Sequence, residues 1–249
     1  MPILLVAACG GPGSSAPTSV PLALARIRQA VARTEAAGTA HLVETSDTRS
    51  ALGATSAQPI TEVALTVVGD IRFAGPDLSL TTTSRSVLPA QTSNTVGTSS
   101  SLTIYVGRHL YLGIPPGPQW AEAPYRTPYA YLGAVTTRTL ETARGPVTDV
   151  GSREVDGQPA TGYLVPVPSS VGTVPLTDSH NQPYTERFTF APFTLSVWLD
   201  GTGRIVRTSG TVVVTSSKDA GTVREETTTI LSAFGEPVHI VAPAVALRS

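Results

Sequence analysis

Residues 193–216 read FTLSVWLDGTGRIVRTSGTVVVTS, and the fold is decided there. Leu195, Val197 and Leu199 alternate with their neighbours at the period of a half-buried strand. Asp200-Gly201-Thr202-Gly203 supplies hairpin-turn residues, and a second β-branched run follows at once. Working outward, the same pattern recurs. SSSLTIYVGRHLYLGIP reads as a hairpin turning at Gly107-Arg108, with Leu102, Ile104 and Val106 on one strand and Leu110, Leu112 and Ile114 on the other. QWAEA continues after the Pro115-Pro116-Gly117-Pro118 break. VTDVGSREVDGQPATGYLVPV gives two strands joined at Asp156-Gly157. ITEVALTVVGDIRFAGPDLSLTTT places Val63, Leu65 and Val67 on one face, with a turn expected at Gly69-Asp70. Alternation also starts near Thr39, and TVREETTTILSAFGEPVHI supplies the last strands, broken at Gly235 and Pro237.

One segment has helical spacing instead. In VPLALARIRQAVARTEAAG, Val20, Leu24, Ile27 and Val31 form a stripe, with Leu22 placed near it. Thr18 or Ser19 is suited to cap its start and Gly38 to end it. A second, shorter helix is expected from Tyr131 to about Leu140. Segments 48–60, 86–98 and 166–184 are rich in Pro, Ser, Thr and Gly and read as loops. Strands joined by tight turns imply one large antiparallel meander whose second face is wet. Few helices are available to cover the other face. A curved sheet incompletely plugged by helices leaves an apolar cavity.

The 249 residues are 41% hydrophobic but only 14% charged, with a formal net charge of −1. That charged fraction is well below the roughly 25% of an average soluble domain. A near-zero net charge supplies no attraction to nucleic acid. The basic residues are scattered arginines, Lys218 being the only lysine. A single cysteine excludes an internal disulfide, and no Cys/His cluster suggests a metal. No cofactor is expected.

That cysteine, Cys9, stands in Val6-Ala7-Ala8-Cys9, which matches the bacterial lipobox: an aliphatic residue, two small ones, then Cys. In lipoproteins the thiol is diacylated and the chain is cut just before it. Two acyl chains are needed because a single chain binds membranes only marginally, at about 0.8 kcal/mol per buried CH₂. The apolar run Ile3–Ala8 is shorter than a whole export signal, and no basic residue precedes Arg26. The expectation is therefore that residues upstream of Met1 supply the rest. Residues 1–9 then read as leader and lipobox, 10–19 as a flexible tether, and 20–249 as a single domain. The tether spans roughly 18 Å on average. The expected location is the outer face of the cell membrane, reached by export and held by the diacylated Cys9.

Residues for catalysis are not brought together by spacing. His41, His109, His180 and His239 are isolated from one another. Asp178-Ser179-His180 holds the residue types of a triad, but three neighbours in a loop do not form a nucleophile–base–orienter geometry. No GxSxG, HExxH or P-loop pattern occurs, and GGPGSS lacks the lysine. Asp200-Gly201-Thr202-Gly203 lacks the alternating carboxylates of a calcium loop. Alternation sends Glu225 and Glu226 to opposite faces of a strand. The chain is expected not to be an enzyme.

The order SLTIYVGRHLYLGIPPGPQW, GPVTDVGSREVDGQPATGYLVPV, PFTLSVWLDGTGRIVRTSGTVVV, FGEPVHIVAP resembles that of the LppX/LprG-type cell-envelope lipoproteins of actinobacteria. Their fold is like that of the carrier LolA. The likeness covers about 220 residues, loops excepted. It departs from the family in Pro-rich insertions such as PVPSSVGTVPLTDSHNQP. The resemblance implies an α+β fold: a large antiparallel sheet curled into a half-barrel, with one long and one or more short helices on its concave face. It also implies a cavity for acyl chains, hence a lipid or acylated ligand. The faces Val63/Leu65/Val67, Leu102/Ile104/Val106 and Leu195/Val197/Leu199 are expected to line that cavity. Tyr105, Tyr111, Trp120 and Trp198 are suited to line it or to fill the core. The rival reading is a sensor or interaction lipoprotein with a filled core and an envelope protein partner.

Overall fold

The structure, a computed structural model, describes residues 20–51, 61–75, 77–89, 94–107, 109–114, 119–124, 139–140, 143–177, 183–216 and 222–244. Its helix α1 spans Val20–Ala36. The buried stripe is Ala23, Ile27, Ala30, Val31 and Thr34, each no more than 2% exposed. Leu22, expected near this stripe, is 60% exposed. It precedes Ala23 by one residue, which turns it about 100° around the helix. Gly38, at φ +82°, ends the helix, its N–H donating to the Glu35 carbonyl at 3.0 Å. Left-handed backbone of this kind favours glycine. The capping residues Thr18 and Ser19 lie outside the described residues. Of the second expected helix only Thr139 and Leu140 are described, and both are helical.

The remaining elements are β1 (Thr39–Ala51), β2 (Thr61–Arg72), β3 (Asp77–Pro89), β4 (Asn94–Val106), β5 (His109–Ile114), β6 (Gln119–Pro124), β7 (Thr148–Val155), β8 (Gln158–Val167), β9 (Ser170–Thr177), β10 (Pro183–Phe190), β11 (Phe193–Leu199), β12 (Ile205–Ser216) and β13 (Thr222–Ser232). They form one open antiparallel sheet in the order β6-β5-β4-β3-β2-β1-β13-β12-β11-β8-β7, and β10 joins β12 and carries β9. The turns at Gly107, Asp156-Gly157 and residues 200–203 fall where the sequence places them. Asp156 and Gly157 both have positive φ, as a tight two-residue hairpin requires.

Two expectations are corrected. No turn occurs at Gly69-Asp70: β2 runs through to Arg72, and the chain turns at residues 73–75. Gly69 lies opposite Leu80, where a Cβ would strike the Ser79 carbonyl. The glycine serves close backbone approach rather than a turn. Much of segments 86–98 and 166–184 is strand, not loop, since β3 and β4 pair as far as Pro89 and Asn94, and β9 and β10 pair along their length. Pro168 and Pro192 sit between strands, where no ladder donor is required, and Pro175 lies on the edge strand β9. β8–β9 and β10–β11 thus make one long hairpin bent at residues 168–169 and 191–192.

Register fixes which side chains share a face. One row crosses the sheet as Val197, Thr208, Thr229, Glu44, Val67 and Thr82. The face carrying this row is the inner face, because α1 packs on it. There Ala23, Ile27, Ala30 and Val31 meet Tyr163, Val165, Leu195, Val197, Leu199 and Ile205. Thr34 ties helix to sheet, donating to the Ala30 carbonyl at 2.8 Å and accepting the Ile205 N–H at 2.9 Å. A second apolar cluster lies on the same face and contains Leu42, Val67, Ile71, Leu78, Leu80, Tyr105 and Leu231. The FGEP segment closes its end: Phe234 packs on this cluster, and Thr39 Oγ1 donates to the Glu236 carbonyl at 2.7 Å. On the outer face, Trp198 packs with Val155 and Ala160 beneath the Arg153 guanidinium.

Ile27→Ala is expected to lower the unfolding free energy in urea by about 2–5 kcal/mol, the range for large-to-small core changes. Leu22→Ala should change it by less than about 0.5 kcal/mol. Equal losses at both positions would overturn this assignment of the helix face.

Candidate functional site

The two apolar clusters are separated by a polar seam. Even-numbered residues of β1 and odd-numbered residues of β13 point to the inner face, pairing Glu44 with Thr229, Ser46 with Thr227 and Thr48 with Glu225. Thr208 on β12 stands beside Thr229. Glu44, Ser46, Thr208 and Thr229 are each at most 4% exposed. A buried carboxyl is costly unless it is hydrogen-bonded or neutral. Thr229 Oγ1 donates to Glu44 Oε2 at 3.1 Å, while Glu44 Oε1 is buried with no hydrogen-bond partner among the described residues. Burial, reinforced by the charge of Glu225 and opposed by the Thr229 bond, pushes the Glu44 carboxyl up to about 8. It is therefore mostly protonated at neutral pH. Glu225 Oε1 accepts from Ser46 at 2.7 Å and from Thr227 at 3.2 Å, so its carboxylate leans toward Glu44.

Beyond the seam, away from α1, the inner face carries two half-buried apolar patches, separated by Ser46 and Thr48 on β1 and by Thr227 and Glu225 on β13. Leu65 and Val63 follow Val67 on β2, Val212 and Val214 follow Thr208 on β12, and Phe188 and Phe190 on β10 lie opposite Ser216 and Val214. No described helix packs on either patch.

The predicted lining residues divide in three. Val63, Leu65 and Val67 lie on the inner face, Val67 buried and the other two half-buried. Leu195, Val197 and Leu199 share that face but are buried under α1. Leu102, Ile104 and Val106 are corrected to the outer face. Leu80 pairs with Thr103 and Leu78 with Tyr105, so it is the odd-numbered residues of β4 that point inward. This hairpin is apolar on both sides, with Ile104 and Tyr111 outside and Tyr105 and Leu110 inside. Alternation alone could not choose between them. Tyr105, Tyr111 and Trp198 are buried, and Trp120 covers Gly113. Glu44 was missed, although LVE places a carboxylate on the same phase as Leu42. Phe188 and Phe190 were missed because the sequence reading assigns residues 185–192 to no element.

Glu225 and Glu226 do face opposite ways, opposite Thr48 and Asp47 respectively. His41 Nδ1 lies 3.0 Å from Asp70 Oδ1, a half-exposed pair on the outer face. Cys9 and Asp178-Ser179-His180 lie outside the described residues. Asp200 accepts hydrogen bonds from Thr202 and Arg204. Burial opposes the charge of its carboxyl, but those bonds and the Arg204 charge together hold it below its usual range. It is a turn organiser rather than a free ligand.

Three hollows with described linings lie elsewhere. One of about 570 Å³ is bordered by outer-face charges, among them Asp47, Arg49, Arg85 and Arg224. Another of about 480 Å³ lies by Val155, Val206, Ile230 and Phe234, and a third of about 240 Å³ lies by Arg26, Tyr163 and Leu199. None of these three is the aliphatic hollow expected between helix and sheet. Directly under α1 the packing is close, with Ile27, Val165 and Val197 all 0% exposed.

The Glu44 shift fixes a pH dependence. The folded chain keeps this proton up to about pH 8, whereas an unshifted carboxyl releases it near 4.5. Glu44 therefore lowers stability progressively as pH rises between those values, at about 1.4 kcal/mol per pH unit. Glu44→Gln removes this slope. The stability of the variant relative to wild type, from urea denaturation, should rise between pH 5 and pH 8 and stay level below 4.5. A difference independent of pH would refute the assignment.

No family model matches the chain, and no curated protein matches its sequence. Among solved structures it is similar to the lipoprotein LppX of Mycobacterium tuberculosis, with a TM-score of 0.44, 15% identity, and coverage of 90% of this chain and 100% of that one. It is likewise similar to LprF of Mycobacterium bovis, with a TM-score of 0.42, 17% identity, and coverage of 92% and 100%.

Proposed function

We propose that this chain is an exported lipoprotein, anchored by a diacylated Cys9, whose sheet holds an acyl chain non-covalently on the inner face. The observation that carries the reading is the pair of half-buried apolar patches on the inner face, Val63 and Leu65 on β2 and Val212, Val214, Phe188 and Phe190 on β12 and β10, free of any described helix. Removing an acyl chain from water gains about 0.8 kcal/mol per CH₂ when burial is complete. A long chain laid across the patches gains enough for binding with part of that. No acid, base or nucleophile is required, and no described helix is long and apolar enough to cross a membrane. Residues 1–9 serve as leader and lipobox, 10–19 as tether and 20–249 as the binding domain. The lining narrows to the half free of α1, since Leu195, Val197 and Leu199 belong to the packed core. That packed core favours a second reading, in which the domain senses or engages an envelope protein.

The full chain, purified in mild detergent from the envelope that makes it, is expected to carry a non-covalent adduct of acyl mass in native mass spectrometry. Leu65→Asp should weaken binding of a fluorescent fatty acid at least about tenfold, since a charge would be placed against the alkyl tail. Thr66→Asp, exposed on the outer face of the same strand, should leave it unchanged. Absence of any adduct, together with no difference between the variants, would leave only the interaction reading. Cys9→Ser should move the protein from the membrane fraction to the aqueous one.

A further inference from the structure

The charges of the sheet are segregated by face. Along β1, β2, β3, β12 and β13 the arginines Arg49, Arg72, Arg85, Arg207 and Arg224 all occupy outer-face positions. Asp47, Asp70, Glu62 and Glu226 lie there with them. On the inner face of these strands the only ionisable side chains among the described residues are Glu44 and Glu225. The groups facing Glu44 from neighbouring strands are Val67, Thr208 and Thr229, with Leu42 and Ser46 along its own strand. None of these titrates. Among the described residues the seam therefore holds two carboxyl groups, five hydroxyls and no cation, beside the apolar pair Leu65 and Val63.

We propose that the inner face takes an amphiphile whose polar end is a primary ammonium, seated between Glu44 and Glu225 with its alkyl chain along Leu65 and Val63. The inference rests on the acyl-binding reading and names the ligand class for that same face. Three observations carry it. Glu44 Oε1 is buried without a partner among the described residues, which is a cost that an incoming donor removes. Glu225 is already turned toward Glu44 by Ser46 and Thr227. The nearby hydroxyls can accept the remaining ammonium N–H groups, and an ammonium has three donors to satisfy. A carboxylate or phosphate end would instead meet like charge with no compensating cation. On binding, the ammonium arrives with its proton, Glu44 releases its own to solvent, and the ligand is held by two carboxylates.

The test uses the full chain in low salt at pH 7, with oleylamine, oleyl alcohol and oleate as probes of similar tail. Oleylamine is expected to bind at least tenfold more tightly than either of the others. Calorimetry in two buffers of different ionisation heat should report close to one proton released per oleylamine. Glu44→Gln, which keeps shape and hydrogen bonding, should abolish the proton release and bring oleylamine and oleyl alcohol to similar affinity. Binding of oleyl alcohol or oleate as tight as that of oleylamine would overturn this proposal and leave the acyl-binding reading standing. Binding of none of the three would overturn both.

Discussion

The structure depends on cross-strand register. Side chains alternate faces at a period of two, so the row running from Val197 through Thr208, Thr229 and Glu44 to Val67 exists only if five neighbouring strands are aligned to the residue. A slip of one position on β1 would bring Glu44 to the outer face and Val43 into the seam. The helix supplies part of the alignment. Thr34, bonded both to its own helix and to the Ile205 N–H, fixes where β12 begins relative to α1. From β12 the register passes to β13 and then to β1.

That alignment produces a sheet with unequal halves. Under α1 the inner face is a buried apolar core, with Ile27, Val165 and Val197 withdrawn from solvent. On the far side of the Glu44 seam the same strands continue with aliphatic and aromatic side chains only half withdrawn from water. A buried carboxyl between two apolar clusters lowers stability at neutral pH, as its raised pKa shows. Strained or unsatisfied groups of this kind collect at functional sites rather than in purely structural cores.

Much of this was legible in the sequence. The 193–216 hairpin, the Asp156-Gly157 turn and the Gly38 helix end all follow from local chemistry, because turn residues and alternation act within a few positions. The opposite orientations of Glu225 and Glu226 follow from alternation alone. What failed was non-local. Leu102, Ile104 and Val106 alternate as cleanly as Thr103 and Tyr105, and only the partners on β3 decide which set points inward. The β9–β10 strands were hidden by their prolines, which an edge strand and a bend tolerate. Glu44 was visible in phase with Leu42, but its burial depends on strands nearly 190 residues apart, bonded as Glu44 is to Thr229.

The bend in the β8–β11 hairpin bears on how the sheet is built. Pro168 and Pro192 lack amide donors, so the hydrogen-bonded ladder is interrupted on both strands at one level. The outer limb, β9 with β10, is secured to the rest through three residue pairs with β12 and a bond from the Ala191 N–H to Val213 at 2.9 Å. The hairpin thus changes direction where its peptide groups have least to lose, and the pairs with β12 that follow the bend hold Phe188 and Phe190 beside Val214 on the inner face.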